Sequence, residues 1–333
     1  MQQPIVGQVD TDVTAPPVVV KPAKRARRRG GVLAGMKRSW QLYVMLALPF
    51  AWLIVYQYIP MWGAQIAFRD YKASGGFAGI SQSEWIGLDH FRKFFNSYNF
   101  WPILKNTIVL NVYSLIAGFP LPIIFALALN YVRQRWFQKS VQMVSYAPHF
   151  ISIVVVVGML LQFLSTGGLV NQLLGLFGVD PIPFMSEPQY WKSIYVWSGV
   201  WQSLGFNCII YLAALSGIDP TLHEAAIIDG ANKLQRMRDI DLPGILPVAV
   251  ILLILNMGTL LSTGFEKVIL LQNQLNMSTS EVIDSYVYHV GLASQVPQFA
   301  YAAAIGLFKS VIGLVLILSV NMLARRMKTA SLW

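Results

Sequence analysis

The chain has 333 residues, 55% of them hydrophobic and only 12% charged, with a formal net charge of +10 and a mean hydropathy of +0.53. Soluble domains carry about 25% charged residues, so this composition excludes an ordinary water-soluble domain, argues for lipid as solvent and suits one membrane domain. The single cysteine, Cys208, excludes an intrachain disulfide and a cysteine metal cluster, and His90, His149, His223 and His289 are scattered without metal-ligand spacing.

Residues 1–20 are polar, contain Pro and Val without period, and read as disordered. The run KPAKRARRRG (21–30), continued by Lys37 and Arg38, could suggest nucleic acid, but an apolar span begins within a few residues. Residues 1–38 are therefore expected to be a disordered basic cytoplasmic tail beside anionic lipid. The run begins too late for a cleaved signal peptide. A membrane helix needs about 20 mostly apolar residues, and six stretches qualify: 42–62, 103–130, 141–164, 191–215, 244–265 and 299–323. They imply a domain over 39–325 followed by a short cytoplasmic tail, 326–333. Pro49, Pro120, Pro122 and Pro148 fall inside spans, where each removes a backbone hydrogen bond and kinks the helix.

Charge orients the spans. Of the 25 Lys and Arg, 17 lie in the N-terminal tail, the 131–140 loop, the 220–242 segment or the residues after span six (Arg325, Arg326 and Lys328). By the positive-inside rule both termini are expected in the cytoplasm. Residues 63–102, 165–190 and 266–298 then face outward. Lys309 lies deep in span six, where an ammonium costs about 2.5–3.5 kcal/mol on insertion scales. It is expected to snorkel outward, to pair with Glu266 or a partner chain, or to face a transport path and attract an acidic sugar.

The segment EAAIIDGANKLQRMRDIDLP (224–243) is polar and stands between spans four and five. Asp219 is a favoured helix N-cap and Pro220 a favoured first residue. The spacing predicts one short helix to Gly230, a breaker, and a second from about Ala231 to Asp241, with Leu234, Met237 and Ile240 on one side. Leu242-Pro243 is expected to turn the chain into span five. Such a pair of helices can press into a groove on a cytoplasmic partner.

Glu224-Ala225-Ala226, Gly230, Ile240 and Leu242-Pro243 fit, without a gap, the EAA loop of bacterial binding-protein-dependent ABC importer permeases, which the chain thus resembles. The stretches YQYIPMWGAQIAFRDY (56–71), SYAPHFIS (145–152), IIYLAALSGIDPTLHEAAIIDGA (209–231) and GFEKVILL (264–271) are similar to the carbohydrate branch of that family, which handles oligosaccharides and polysaccharide fragments such as those of alginate and pectin. Met237 stands where the family often has Phe. The resemblance covers roughly 40–325. It implies an all-α, six-helix, type I importer permease in the bacterial cytoplasmic membrane, one half of a heterodimeric path. Its partners would be a second permease subunit, a cytoplasmic ABC ATPase dimer carrying ATP and Mg, and an extracellular solute-binding protein delivering sugar. The ATPase-coupling residues would be Glu224, Ala225, Ala226, Asp229, Gly230, Met237, Ile240, Leu242 and Pro243.

Other classes fit less well. HEAAI (223–227) has Ile227 where a zinc protease needs its second His. No GxxxxGK[ST] occurs, so this chain carries no Walker A nucleotide site of its own and is expected to be neither an enzyme nor a holder of cofactor or metal. A permease for a non-sugar solute is the first alternative. A secondary transporter is the next, although no Asp or Glu lies inside the six spans to couple an ion. Sugars need hydrogen-bonding groups and aromatic faces. The path candidates are Asn111, Tyr113, Gln162, Trp197, Trp201, Asn207, Asn256, Thr259 and Lys309. The polar ones could equally be interhelical glue and the Trp residues an interfacial belt.

Overall fold

The computed structural model describes residues 39–326; the basic N-terminal segment and the C-terminal tail beyond Arg326 lie outside the described residues. The chain divides into two units, Met1–Pro60 and Met61–Trp333. The described part of the first is helix α1 (Trp40–Leu53), which holds Pro49 and continues into a π turn over Ile54–Tyr58.

The second unit is helical. It contains α2 (Phe100–Gly118), α3 (Pro120–Asn130), α4 (Arg135–Tyr146), α5 (Ile153–Phe163), α6 (Pro188–Ser216), α7 (Pro220–Ile228), α8 (Lys233–Arg236), α9 (Leu242–Gly258), α10 (Phe265–Leu271), α11 (Ile283–Tyr288) and α12 (Phe299–Arg326), with further short helices such as Gly76–Gln82, Asp89–Phe95 and Leu169–Gly175 and turns between. Among the described residues there is no strand, only an isolated bridge between Arg69 and Trp85.

Among the described residues, five helical stretches are long and apolar enough to cross a membrane: Trp40–Phe68, Phe100–Asn130, Pro188–Ser216, Lys233–Gly258 and Phe299–Met322. A sixth exists only if Arg135–Phe150 and Ile153–Phe163, bent by 98°, count as one span. The expected third span, 141–164, is therefore a broken element. Its break lies in SYAPHFIS, where Pro148 sits in a 3-10 turn over Ala147–Phe150 and Ser152, at φ −55° and ψ 142°, stands at the N-cap position of α5 without a side-chain cap bond. Gln202 of α6 donates its side-chain amide to the carbonyl of Ile151 at 2.9 Å, satisfying an acceptor that the break frees. His149 stacks on Phe206 of α6 with ring centroids 3.9 Å apart.

Two more expectations change. The fifth span ends at Gly258, not at residue 265; Thr259–Gly264 is irregular. Leu242-Pro243 also does not turn the chain. Helix runs from α8 through a π turn over Met237–Asp241 into α9. The cause is visible at two of the three π turns among the described residues, over Ile54–Tyr58 and Met237–Asp241. Ile59 N–H bonds to the carbonyl of Ile54, and Leu242 N–H to that of Met237, each one residue before a proline. Widening the turn by one residue relieves the clash between a proline ring and the carbonyl four residues back, so the helix continues where a break was expected.

Three apolar clusters hold the second unit together. One joins Leu110, Val157, Trp191, Val196, Val200, Val268 and Leu271; a second joins Ala126, Leu127, Cys208, Tyr211, Leu215, Ile245 and Ala249; a third gathers Phe94, Phe100, Ile103, Ile283, Tyr301 and Ile305. The long helix α6 serves the first two, which makes it the central post. Close approach supports it: a Cβ on Gly205 would stand 2.2 Å from the carbonyl oxygen of Ser145. Gly205→Ala must therefore push α4 away from α6 and is expected to cost about 1–3 kcal/mol. Thermal unfolding of the purified protein checks this, with Gly118→Ala, whose added Cβ meets nothing within 4 Å, as the neutral control.

Candidate functional site

The segment between α6 and α9 is built to hold its own shape. The Asp219 carboxylate accepts the Thr221 N–H at 3.0 Å and caps α7, whose first residue is Pro220. That bond, with help from the Thr221 hydroxyl, holds the Asp219 carboxyl below the usual carboxylate range. The cap is therefore present above the ordinary carboxylate pKa and lost as pH falls through the lowered one. The chain leaves α7 through Gly230 at φ +78°, where Ala231 N–H returns to the carbonyl of Ala226 at 2.8 Å. An added Cβ at Gly230 would meet nothing within 4 Å, so only the left-handed backbone asks for glycine there. Asn232 and Gln235 then form a reciprocal capping box for α8, at 2.9 and 2.7 Å.

This stable hairpin of helices leaves apolar side chains without cover. Ile228 is 85% exposed and Leu234 71%, with Leu222 and Ile227 also exposed. Glu224, Ala225, Asp229 and Gly230 lie on the open surface, Leu242 and Pro243 are exposed at the start of α9, and Ala226 and Ile240 are half-buried. Met237 differs from the exposed members, since it packs against the Cys208–Ile245 cluster.

Beneath the hairpin sits a carboxylate that sequence reasoning missed. Asp241 is fully buried. Its Oδ2 accepts the Tyr131 hydroxyl at 2.6 Å, and its Oδ1 lies 3.2 Å from Nε2 of His223, a close polar contact without hydrogen-bond alignment. One carboxylate thus ties α7, the end of α3 and the π turn entering α9. Burial first, and the Asp241 bond second, push the Tyr131 phenol up to about 12, so the bond is intact at neutral pH and fades only as pH rises from 10 towards that value. The missed signal was the position of Asp241 at the foot of an apolar helix, the one place where a lone carboxylate must find partners.

Between the first two apolar clusters lies a cavity of about 520 Å³, within the range of about 300–1,000 Å³ usual for ligand pockets. Val196 and Val200 line it from one cluster and Tyr211 from the other. Of the sequence candidates, the structure brings together Asn111, Asn207, Asn256 and Thr259 on its wall, with Gln202, Ser203 and Ser262 beside them. Asn111 donates to the Thr107 carbonyl at 2.7 Å and Asn256 to that of Leu252 at 2.9 Å.

The other candidates lie elsewhere. Trp197 donates its indole N–H to the Tyr113 hydroxyl at 2.8 Å, and Trp197 and Trp201 are about half exposed. Gln162 is exposed near the end of α5. Lys309 pairs with Asp284 rather than Glu266. Asp284 also accepts the Thr263 N–H and hydroxyl at 3.1 and 3.0 Å, so a carboxylate on α11 ties the irregular turn after α9 to α12. Lys267, unnoticed in the sequence because it follows a span rather than lying within one, does line the cavity. It is 6% exposed and donates to the Tyr195 carbonyl at 2.8 Å. Among the described residues no group of three or more His, Cys, Asp or Glu could hold a metal.

A bundle of apolar helices, a polar cavity between them and a capped helix pair offering bare apolar side chains define a membrane-embedded permease component of a transporter. Residues 118–329 match the family of binding-protein-dependent transport system inner membrane components, and the chain belongs to that family as an integral inner-membrane protein. It is 42% identical to the polygalacturonan/rhamnogalacturonan transport system permease protein YteP of Bacillus subtilis (strain 168), over 93% of this chain and 94% of that one. It is 38% identical to Protein LplB of the same organism, over 88% and 91%. Its fold matches the crystal structure of a bacterial ABC transporter involved in the import of the acidic polysaccharide alginate, with TM-score 0.81 and 39% identity, covering 88% of this chain and 98% of that chain. A second structure of a bacterial alginate ABC transporter, in complex with an alginate pentasaccharide-bound periplasmic protein, matches with TM-score 0.82 and 38% identity over 90% and 99%.

The Asp241 junction makes a stability prediction. Tyr131→Phe removes one bond to a charged acceptor and is expected to cost about 1.5 kcal/mol, at the low end because Tyr131 is only partly buried. Asp241→Ala removes the shared carboxylate of the cluster and is expected to cost about 3 kcal/mol. Unfolding of the purified protein in denaturant reads both, and equal stability of Asp241→Ala and the parent would remove the junction's role.

Proposed function

We propose that this chain is one of two permease subunits of an ATP-driven oligosaccharide importer, and that residues 220–242 are its contact with a cytoplasmic ATPase dimer. The observation that carries the reading is the helix pair α7–α8, capped at each helix start, turned at Gly230, and presenting Ile228 and Leu234 to solvent. A helix pair that spends three local devices on its shape while leaving leucine and isoleucine bare suits docking into a groove. The EAA spacing supports the same reading. Glu224, Ala225, Ala226, Asp229 and Gly230 are assigned to the contact, with Leu242 and Pro243 at its edge. Met237 and Ile240 act from inside, linking the contact to α9.

The sugar class rests on the relatives: a permease for polygalacturonan and rhamnogalacturonan at 42% identity and alginate importers of the same fold. Asn111, Asn207, Asn256 and Thr259, converging on one cavity, supply the hydrogen-bonding groups that a sugar requires. A second permease chain completes the path, ATP and Mg reside on the ATPase, and an extracellular solute-binding protein delivers the sugar. In this reading ATP-driven closure of the ATPases moves α7–α8, the Asp241 junction passes the motion to α3 and α9, and the cavity changes the side to which it opens.

Glu224→Lys and Gly230→Pro are expected to leave membrane insertion and assembly intact and to abolish sugar-stimulated ATP hydrolysis and uptake in reconstituted vesicles. Unchanged stimulation in both variants refutes the docking assignment. Both termini and residues 220–242 are placed in the cytoplasm by the charge bias. Single cysteines at Ser39, Asn232 and Ser331 in a Cys208→Ser background are expected to resist an impermeant thiol reagent in intact cells and to react after permeabilisation; labelling from outside contradicts this orientation.

A further inference from the structure

The cavity wall contains one cation, and that cation has no carboxylate. Among the described residues, Lys309 is paired with Asp284. Lys267 takes part in no ion pair; its Nζ donates to the Tyr195 carbonyl at 2.8 Å and lies 4.7 Å from the centre of the Tyr195 ring. Its tip also rests beside Gly199, where an added Cβ would stand 3.3 Å from Nζ. An ammonium has three donors, and this one uses a single donor on a neutral acceptor. The remaining two belong to an atom in a side chain that lines the cavity together with Asn111, Ser203, Asn207 and Asn256.

A buried ammonium without a counter-charge is costly, and burial strengthens its attraction for any anion that enters. The surroundings also hold it still. Tyr195 stacks on Trp191, its hydroxyl accepts the Gly264 N–H at 3.0 Å, and Lys267 closes the same turn through the Tyr195 carbonyl. The ammonium is thus fixed where α6 and α10 meet, on the wall of a cavity whose other polar lining groups are neutral amides and hydroxyls. That is the arrangement for an anionic group carried on a hydroxyl-rich molecule: the amides and hydroxyls take the sugar oxygens, and the ammonium takes the charge.

We propose that Lys267 is the carboxylate-recognising residue of the path, and that the solute carried is an acidic oligosaccharide containing uronate residues. This rests on the oligosaccharide-permease reading and adds the charge of the substrate and the residue that selects it. Lys309, whose charge is already answered by Asp284, has a structural part in the same scheme.

Three variants separate charge from support. Lys267→Met removes both the charge and the bond to Tyr195, Lys267→Gln keeps a donor for the Tyr195 carbonyl without charge, and Lys267→Arg keeps both. Each is assembled with its partner permease, ATPases and solute-binding protein in vesicles, and uptake of galacturonate, mannuronate and guluronate trisaccharides is measured alongside neutral trisaccharides. The expected result is uptake of at least one uronate trisaccharide by the parent, a loss of tenfold or more in both Lys267→Met and Lys267→Gln, and recovery to within threefold of the parent in Lys267→Arg. Parent-like uronate uptake by Lys267→Gln overturns the proposal and leaves Lys267 as a support for Tyr195. Parent-like uptake by Lys267→Met overturns it as well. A parent that carries neutral trisaccharides and no uronate overturns the acidic substrate while the oligosaccharide reading stands; a parent that carries no oligosaccharide of either kind overturns that reading itself.

Discussion

Hydrocarbon offers no hydrogen-bond partner, so a backbone N–H or C=O at membrane depth must find one inside the protein. A chain meets this condition easily while it stays helical and with difficulty where it stops. Two stops fall within the apolar stretches of this protein, at Ala147–Ser152 and at Thr259–Gly264. In each, a side chain from another element fills the gap. Gln202 reaches the Ile151 carbonyl, Asp284 takes the Thr263 N–H, and the Tyr195 hydroxyl takes that of Gly264. Asp284 in turn is held by Lys309. Gln202, Tyr195 and Asp284 are therefore first of all the partners of broken backbone, and Tyr195 and Gln202 also line the polar cavity beside α6.

The same constraint explains why helix α6 is the centre of the unit. It carries Tyr195 and Gln202, which answer both breaks, and Gly205, which lets α4 approach to contact. It faces the cavity with Val196, Gly199, Ser203 and Asn207 and passes into α7 at its end. A displacement of α7 thus bears directly on α6 through the chain and on α3 and α9 through Asp241. The dry environment makes that second route stiff, since a buried carboxylate without Tyr131 and His223 would be far more costly than the bent helix that brings them together.

What was legible in the sequence follows from which interactions are local. Apolar runs reveal helices because each residue's tolerance for lipid is its own property, and the spans at 191–215 and 299–323 match α6 and α12 closely. The caps at Asp219 and the glycine turn at Gly230 are also local, and both are present. The break in the third span was half visible, as Pro148 within an apolar run; its 98° size was not, because it depends on Gln202 and Phe206 from another helix. Pro243 misled for the opposite reason. A proline reads as a stop, yet a single widened turn absorbs it, and the energy balance between the two is set by the Asp241 contacts that only the fold reveals.

The two lysines make the same point about the cavity. In the sequence Lys309 stands out because it interrupts an apolar run, whereas Lys267 follows a span and looks like an outward flank. Folding reverses their standing. The irregular turn after Gly258 carries Lys267 back against Tyr195, and the helix α11 brings Asp284 to Lys309. Depth in a hydropathy pattern measures how costly a charge would be if its helix stood alone. The free energy that remains after folding depends on who answers that charge, and the charge of Lys309 is already answered by Asp284. A transport path needs a group that the protein has buried and left partly unanswered, because only such a group gains more from the passing ligand than from its own surroundings.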